Sequence, residues 1–252
     1  MNRPYPSGPQ FAVPPLTRIV KAMLILSGIL FVVQLTMAAL GHPIEGIFGF
    51  VPAAFAQGFV WQPFTYIFLH AGIFHLLFNL LILWSIGGEL EALWGTKTFG
   101  SFVLVCALGA ALSHGAFSIV GWGAGPGSPV VGSSGVVFGL LLAFGILFGD
   151  RVMYFFMLFP MPAKYFVMLL GGVELISSIF YSKSGVAHLA HLGGMIFGFL
   201  FMAAMARWRQ RSKAETRAAQ EEKERQKRLK KAGHLKLVKG EDEDPNDPKH
   251  WN

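Results

Sequence analysis

The chain has 252 residues, 53% of them hydrophobic and only 14% charged, with a formal net charge of +7. A soluble domain carries about a quarter charged residues, so an ordinary soluble enzyme is excluded. Before Arg207 the acidic residues are Glu45, Glu89, Glu91, Asp150 and Glu174, and the basic ones are Arg3, Arg18, Lys21, Lys97, Arg151, Lys164 and Lys183; the rest of both kinds lie in the tail. Basic charge placed after the last apolar run fits a lipid-facing extension, so no nucleic-acid partner is expected. The lone Cys106 lies inside an apolar run and cannot form a disulfide within the chain.

In chain order, residues 1–16 form a Pro-rich segment with Pro4, Pro6, Pro9, Pro14 and Pro15, which lacks core-forming side chains. Six apolar runs follow, over about 18–40, 64–88, 98–120, 132–149, 161–181 and 185–206. Crossing the hydrocarbon core takes roughly 20 apolar residues, so 17–206 is expected to be an all-α membrane domain of six transmembrane helices. The fourth run is short. Breakers separate the runs: Gly95, the stretch Gly121 to Pro129, and the pair Pro160 and Pro162. Ala54-Phe55-Ala56 resembles a signal-cleavage site, but the apolar run before it is too long for a signal peptide and the site lies well past its end. Residues 207–252 form a charged tail. Its part 213–231 has helical composition with Glu221–Arg225 and Glu224–Arg228 at i,i+4, and the stretch Glu241 to Pro245 reads as disordered.

Lys and Arg concentrate in loops on the cytoplasmic side of a membrane. With both termini cytoplasmic, the inner segments hold all the basic residues except Lys183. The protein is therefore expected in the cell membrane as a multi-pass chain embedded in the lipid bilayer.

Three polar constellations interrupt the apolar runs, and polar groups in a membrane are costly enough to be functional candidates. Gly132-Ser133-Ser134-Gly135 opens the fourth run on its outer side. Glycines there permit close backbone approach and unusual dihedrals. The stretch reads either as a serine presented at a helix N-terminus or as a small-residue helix contact through Gly135 and Gly139. In the sixth run, His188-Leu189-Ala190-His191-Leu192-Gly193-Gly194 puts Gly194 and Gly198 on roughly the same side as His191. Packing of that face on Gly135 and Gly139 would bring Ser134 to His191. His188, one turn earlier, is expected to be more exposed, a polar residue at the interface. His75 and Asn79 share a helix face in the second run, as an interhelical hydrogen-bond pair or as donors to an oxyanion. No His-Glu-x-x-His motif or Cys cluster accompanies them, so no metal and no cofactor are expected.

These motifs, in this order and on these spans, resemble the rhomboid intramembrane proteases. The matching residues are Gly132 to Gly135, His75 with Asn79, and Ala190-His191 with Gly194 and Gly198. Further matches are Trp61-Gln62-Pro63-Phe64-Thr65, His70, and Gly87-Gly88 with Glu91 and Gly95. The resemblance spans residues 17 to 206. It implies a serine endopeptidase with Ser134 as nucleophile and His191 as base, a dyad without an acid. It also implies an oxyanion hole from His75, Asn79 and the Ser134 N–H, and a Phe138 ring stacked on the histidine. The loop of 41–61 resembles the family's membrane-embedded first loop, and Gln62 stands where some members have arginine, a departure that concerns loop anchoring. Expected partners are single-span membrane proteins with helix-destabilised segments, reached through a site opening to the outer side. Glu174 has no catalytic role in the family pattern; it either hydrogen-bonds across helices or points into a cavity, and it is read as structural. Two other functions compete. A catalytically inactive rhomboid-like protein that binds membrane clients is expected to lack the serine or the histidine, and both are present. A transporter would show internal repeats or mid-membrane charges, and Glu174 alone fits that.

Overall fold

The computed structural model describes residues 14–123, 125–155, 159–181 and 187–232. Most of the Pro-rich start, Lys183 and the acidic stretch Glu241 to Pro245 lie outside the described residues. The chain to Ala203 forms one compact unit, and the chain from Ala204 forms a second.

Six helices built from the apolar runs dominate the described residues. They are α1 (Arg18–Ala39), α2 (Ile73–Trp94), α3 (Thr96–Ile119), α4 (Ser134–Leu147), α5 (Ala163–Phe180) and α6 (His188–Ala232). All but α4 are long and apolar enough to cross a membrane. Among these five, α3 is the most buried and α5 the least. Large apolar side chains such as Phe74, Ile119 and Phe180 point outward, which a lipid environment rewards and water would not. The fold is an all-α membrane bundle. A short antiparallel hairpin, β1 (Val152–Phe155) paired with β2 (Phe159–Pro162), links α4 to α5.

The second span begins nine residues later than hydropathy suggests, at Ile73 rather than 64, and ends at Trp94 rather than 88. Between Gln62 and Phe68 the chain makes two short helical turns, and at Leu69 and Gly72 the backbone is extended. Apolar side chains fill both conformations, so hydropathy cannot find the break. At the other end, Glu89 and Glu91 look like the exit to water. Glu91 is instead buried, and its carboxylate accepts the Thr17 hydroxyl (2.5 Å) and the N–H groups of Ile19 and Val20 (both 3.1 Å). It thereby caps the open N-terminus of α1, whose first N–H groups have no partner of their own. Gly88 lets the chain come this close, since a Cβ there would run into the Pro15 carbonyl oxygen.

The segment between α1 and α2 folds as short helices Glu45–Phe48 and Pro52–Ala56 before the turns at 62–68. Gln62 holds it: its side-chain oxygen accepts the Val51 N–H (3.0 Å) and its amide donates to the Gly46 carbonyl (3.0 Å). Trp61 Nε1–H donates to the Ile47 carbonyl (2.9 Å) and the Thr65 hydroxyl to the Phe48 carbonyl (2.6 Å). A two-way backbone bridge between Phe50 and Val130 (2.9 Å each way) ties this loop to the one before α4.

In the second unit, residues 206–230 are exposed throughout. Arg225 pairs with Glu222 at i,i+3 (3.1 Å) rather than with Glu221. Exposed ion pairs of either spacing are worth under about 1 kcal/mol, so sequence spacing does not decide between them.

The helix pair that matters most is α4 with α6. A Cβ on Gly194 would overlap the Gly135 carbonyl, and one on Gly139 would come within 3.0 Å of the Gly194 carbonyl oxygen and 2.5 Å of Cys106 Sγ. A Cβ on Gly198 would sit 3.3 Å from the Gly139 Cα. Gly194→Ala should therefore force the two backbones apart and destabilise the detergent-purified protein by at least about 1–3 kcal/mol. Gly28→Ala, in α1 with nothing within 4 Å of its would-be Cβ, should be neutral or raise the melting temperature, since alanine is the better helix former. Thermal unfolding of the two variants side by side checks the contrast.

Candidate active site

Ser134 and His191 meet where α4 packs on α6. With no side chain on Gly135 or Gly194, the first turn of α4 lies directly against the α6 backbone. The Ser134 hydroxyl comes 2.8 Å from His191 Nε2. His191 is buried, while Ser134 remains partly exposed. Phe138, one turn along α4, stacks on the imidazole with ring centroids 4.5 Å apart and planes 11° from parallel. The ring is thus held on one face by Phe138 and at one edge by Ser134.

The approach to α4 fixes the serine further. Gly132 has φ 117°, a conformation that favours glycine, and its N–H donates to the Tyr66 carbonyl (2.9 Å). A Cβ at Gly132 would lie 2.6 Å from His75 Cε1 and 2.9 Å from its Nε2, so the glycine also makes room for the His75 ring. His75 Nδ1 faces the Ala71 N–H (3.4 Å). If that N–H donates, the other ring nitrogen, Nε2, is left to carry a proton toward the serine loop. The first helical bond of α4 runs from the Val137 N–H to the Ser133 carbonyl (2.9 Å), so the Ser134 N–H has no partner within the helix. Asn79 is buried one turn after His75, and its amide donates to the His75 carbonyl (2.8 Å), which leaves its second N–H for another acceptor.

Several further side chains bear on the site through contacts that spacing along the chain does not show. His70 is fully buried, with Nε2 at 3.5 Å from the Ser133 hydroxyl and its ring edge-on to His75 at 5.3 Å. Its backbone exchanges two hydrogen bonds with the Gln34 side chain (2.9 and 3.1 Å). A glutamine inside the apolar α1 run was the available signal. Glu174, read as structural, reaches across helices to the histidines of α6. One carboxylate oxygen lies 2.7 Å from His188 Nδ1 and 3.1 Å from His191 Nδ1. The closer approach is a hydrogen bond. The longer one lies off the line of a ring N–H and is an electrostatic contact. His188, expected to be the more exposed histidine, is only slightly more accessible than His191, with side-chain exposures of 13% and 11%. Glu174, His188 and His191 present ligand atoms within 4.8 Å of one another, a donor set suited to zinc. Two helices supply it, which is why spacing along the chain did not reveal it.

A family model described as "Rhomboid domain" matches residues 57–208. The chain is 30% identical over 151 residues to "Rhomboid protease GluP" of Bacillus subtilis, covering 60% of this chain and 27% of that protein. It is 32% identical over 181 residues to "Rhomboid protein 1, mitochondrial" of Saccharomyces cerevisiae, covering 66% and 44%. It is 30% identical over 158 residues to "Rhomboid protease GlpG" of Yersinia pseudotuberculosis, covering 62% and 51%. The chain thus spans between about a quarter and about half the length of these curated relatives. With its spans and these matches, this multi-pass membrane protein belongs to the rhomboid family.

Proposed function

We propose that the protein is an intramembrane serine endopeptidase that cleaves within or beside the transmembrane segments of single-span membrane proteins. The observation that carries this reading is the 2.8 Å contact of Ser134 Oγ with His191 Nε2 under the stacked Phe138 ring. In the proposed reaction Ser134 Oγ attacks the scissile carbonyl carbon while its proton passes to His191 Nε2. The tetrahedral oxyanion is met by the Ser134 N–H, His75 Nε2–H and the second Asn79 N–H. Collapse breaks the C–N bond, and the proton on His191 goes to the leaving amine. Water then hydrolyses the acyl-serine, with the same histidine as base.

The length of α4 supports access for that water. Its 14 residues extend about 21 Å, short of the roughly 30 Å hydrocarbon core. A serine at its N-terminus lies below the membrane surface, where polar irregular backbone is tolerated beside a water-filled cavity. A substrate helix hides its carbonyls in hydrogen bonds, so segments with weak helix propensity are the expected substrates. On this reading residues 17–206 are the protease domain, and residues 1–16 and the tail from 207 are cytoplasmic. The chain sits in the cell membrane with its site opening outward.

Labelling of purified protein with a fluorophosphonate probe tests the nucleophile: the wild type should label and Ser134→Ala should not. Ser134→Ala and His191→Ala should each abolish cleavage of a model single-span substrate. Asn79→Ala should retain residual cleavage, lowered on the order of 100- to 1000-fold because the other donors remain.

Orientation has its own check. A reporter active only in the cytoplasm should be active when fused after Asn252 and silent when inserted between Gly123 and Gly127. The reverse result would overturn the cytoplasmic placement of the termini.

A further inference from the structure

We infer that Glu174 is a positioning residue of this site, holding His191 with its proton on Nδ1 so that Nε2 keeps a lone pair aimed at Ser134. The inference rests on the proposed roles of Ser134 and His191, and it replaces a dyad without an acid by a line of three side chains from three helices.

Three observations carry it. Glu174 sits inside the membrane-spanning α5, where a carboxylate is costly unless partnered. Its oxygen lies 3.1 Å from His191 Nδ1, on the opposite side of the ring from the 2.8 Å contact of Nε2 with Ser134. An ionised carboxylate only accepts hydrogen bonds, so it favours the tautomer with the proton facing it. That is the tautomer in which Nε2 can take the serine's proton, and the imidazolium formed on transfer would face a negative charge. The Nδ1 contact lies off the line of a ring N–H, so the carboxylate acts on the ring through its charge.

His188 explains how the carboxylate stays in place. Its Nδ1–H donates to the same Glu174 oxygen at 2.7 Å, one turn of α6 before His191. The side chain is thus held from α6 at one point and meets His191 at the next. A divalent metal on these three residues would take Nδ1 of His191 as a ligand and leave the proton on Nε2. Metal binding and base function therefore exclude each other.

The test compares fluorophosphonate labelling rates and cleavage kinetics for the full chain in detergent. Glu174→Gln should lower the labelling rate and kcat by about 10- to 100-fold, as for a general base that loses its orientation. KM should change by less than about twofold, because only the transition state is affected, and the melting temperature should stay near that of the wild type. Glu174→Asp should recover part of the rate, and His188→Ala should lose several-fold less than Glu174→Gln. Wild-type labelling should be unaffected by a metal chelator. Equal labelling of Glu174→Gln and wild type would overturn the inference while leaving Ser134 and His191 in their roles. Loss of wild-type labelling on chelation would also overturn it, as would a His188→Ala defect as large as that of Glu174→Gln. Failure of the wild type to label Ser134 at all would instead remove the reading on which the inference rests.

Discussion

Backbone meets backbone where Gly135 and Gly139 of α4 face Gly194 and Gly198 of α6. In a lipid environment, apolar side chains gain little by leaving the solvent for each other, so helices associate through close packing and polar contacts. Small residues are what make the packing close. Two dimensions of the site follow from this approach: the 2.8 Å from serine to imidazole and the stacking of Phe138 on the same ring. A methyl group at Gly194 would widen both together.

A second constraint is that polar side chains within the bundle need partners, and the structure supplies them in specific places. Glu91 caps α1, Gln34 holds the backbone of His70, and Gln62 holds the loop at 46–51. Each is a long side chain from a regular helix or turn that satisfies irregular backbone elsewhere. The site residues themselves sit on the helices α2, α4 and α6, and these polar side chains secure the segments that lead into them. Gln62 does its work without charge. Its amide donates and accepts at once, and it is fully buried, where an unpaired cation would be expensive.

Much of this was legible in the sequence, because membrane helices and small-residue faces have strong signatures. Four of the six runs match their helices at both ends, the sixth matches at its start while α6 continues to Ala232, and the glycine faces meet as their spacing suggests. The start of α2 was not legible, since extended and helical apolar chain look alike to hydropathy. Its end was misread because a charge usually marks water, whereas Glu91 has three donors inside the protein. The approach of Ser134 to His191 could be anticipated from motif order and helix face. The place of Glu174 could not: α5 reaches α6 through a three-dimensional packing that no spacing along one helix encodes. His188 is the more exposed histidine, as its place one turn earlier suggests, though only slightly, because its partner lies on another helix.

The bridge between Phe50 and Val130 has a mechanical consequence. Three residues of chain separate Val130 from Ser134, and Gly132 between them is tied to the Tyr66 carbonyl. A force that lifts the segment around Phe50 must either break two backbone hydrogen bonds or draw Val130 with it, and the strain then reaches the serine through a taut, short tether. The loop over 41–61 and the first turn of α4 therefore behave as one linkage.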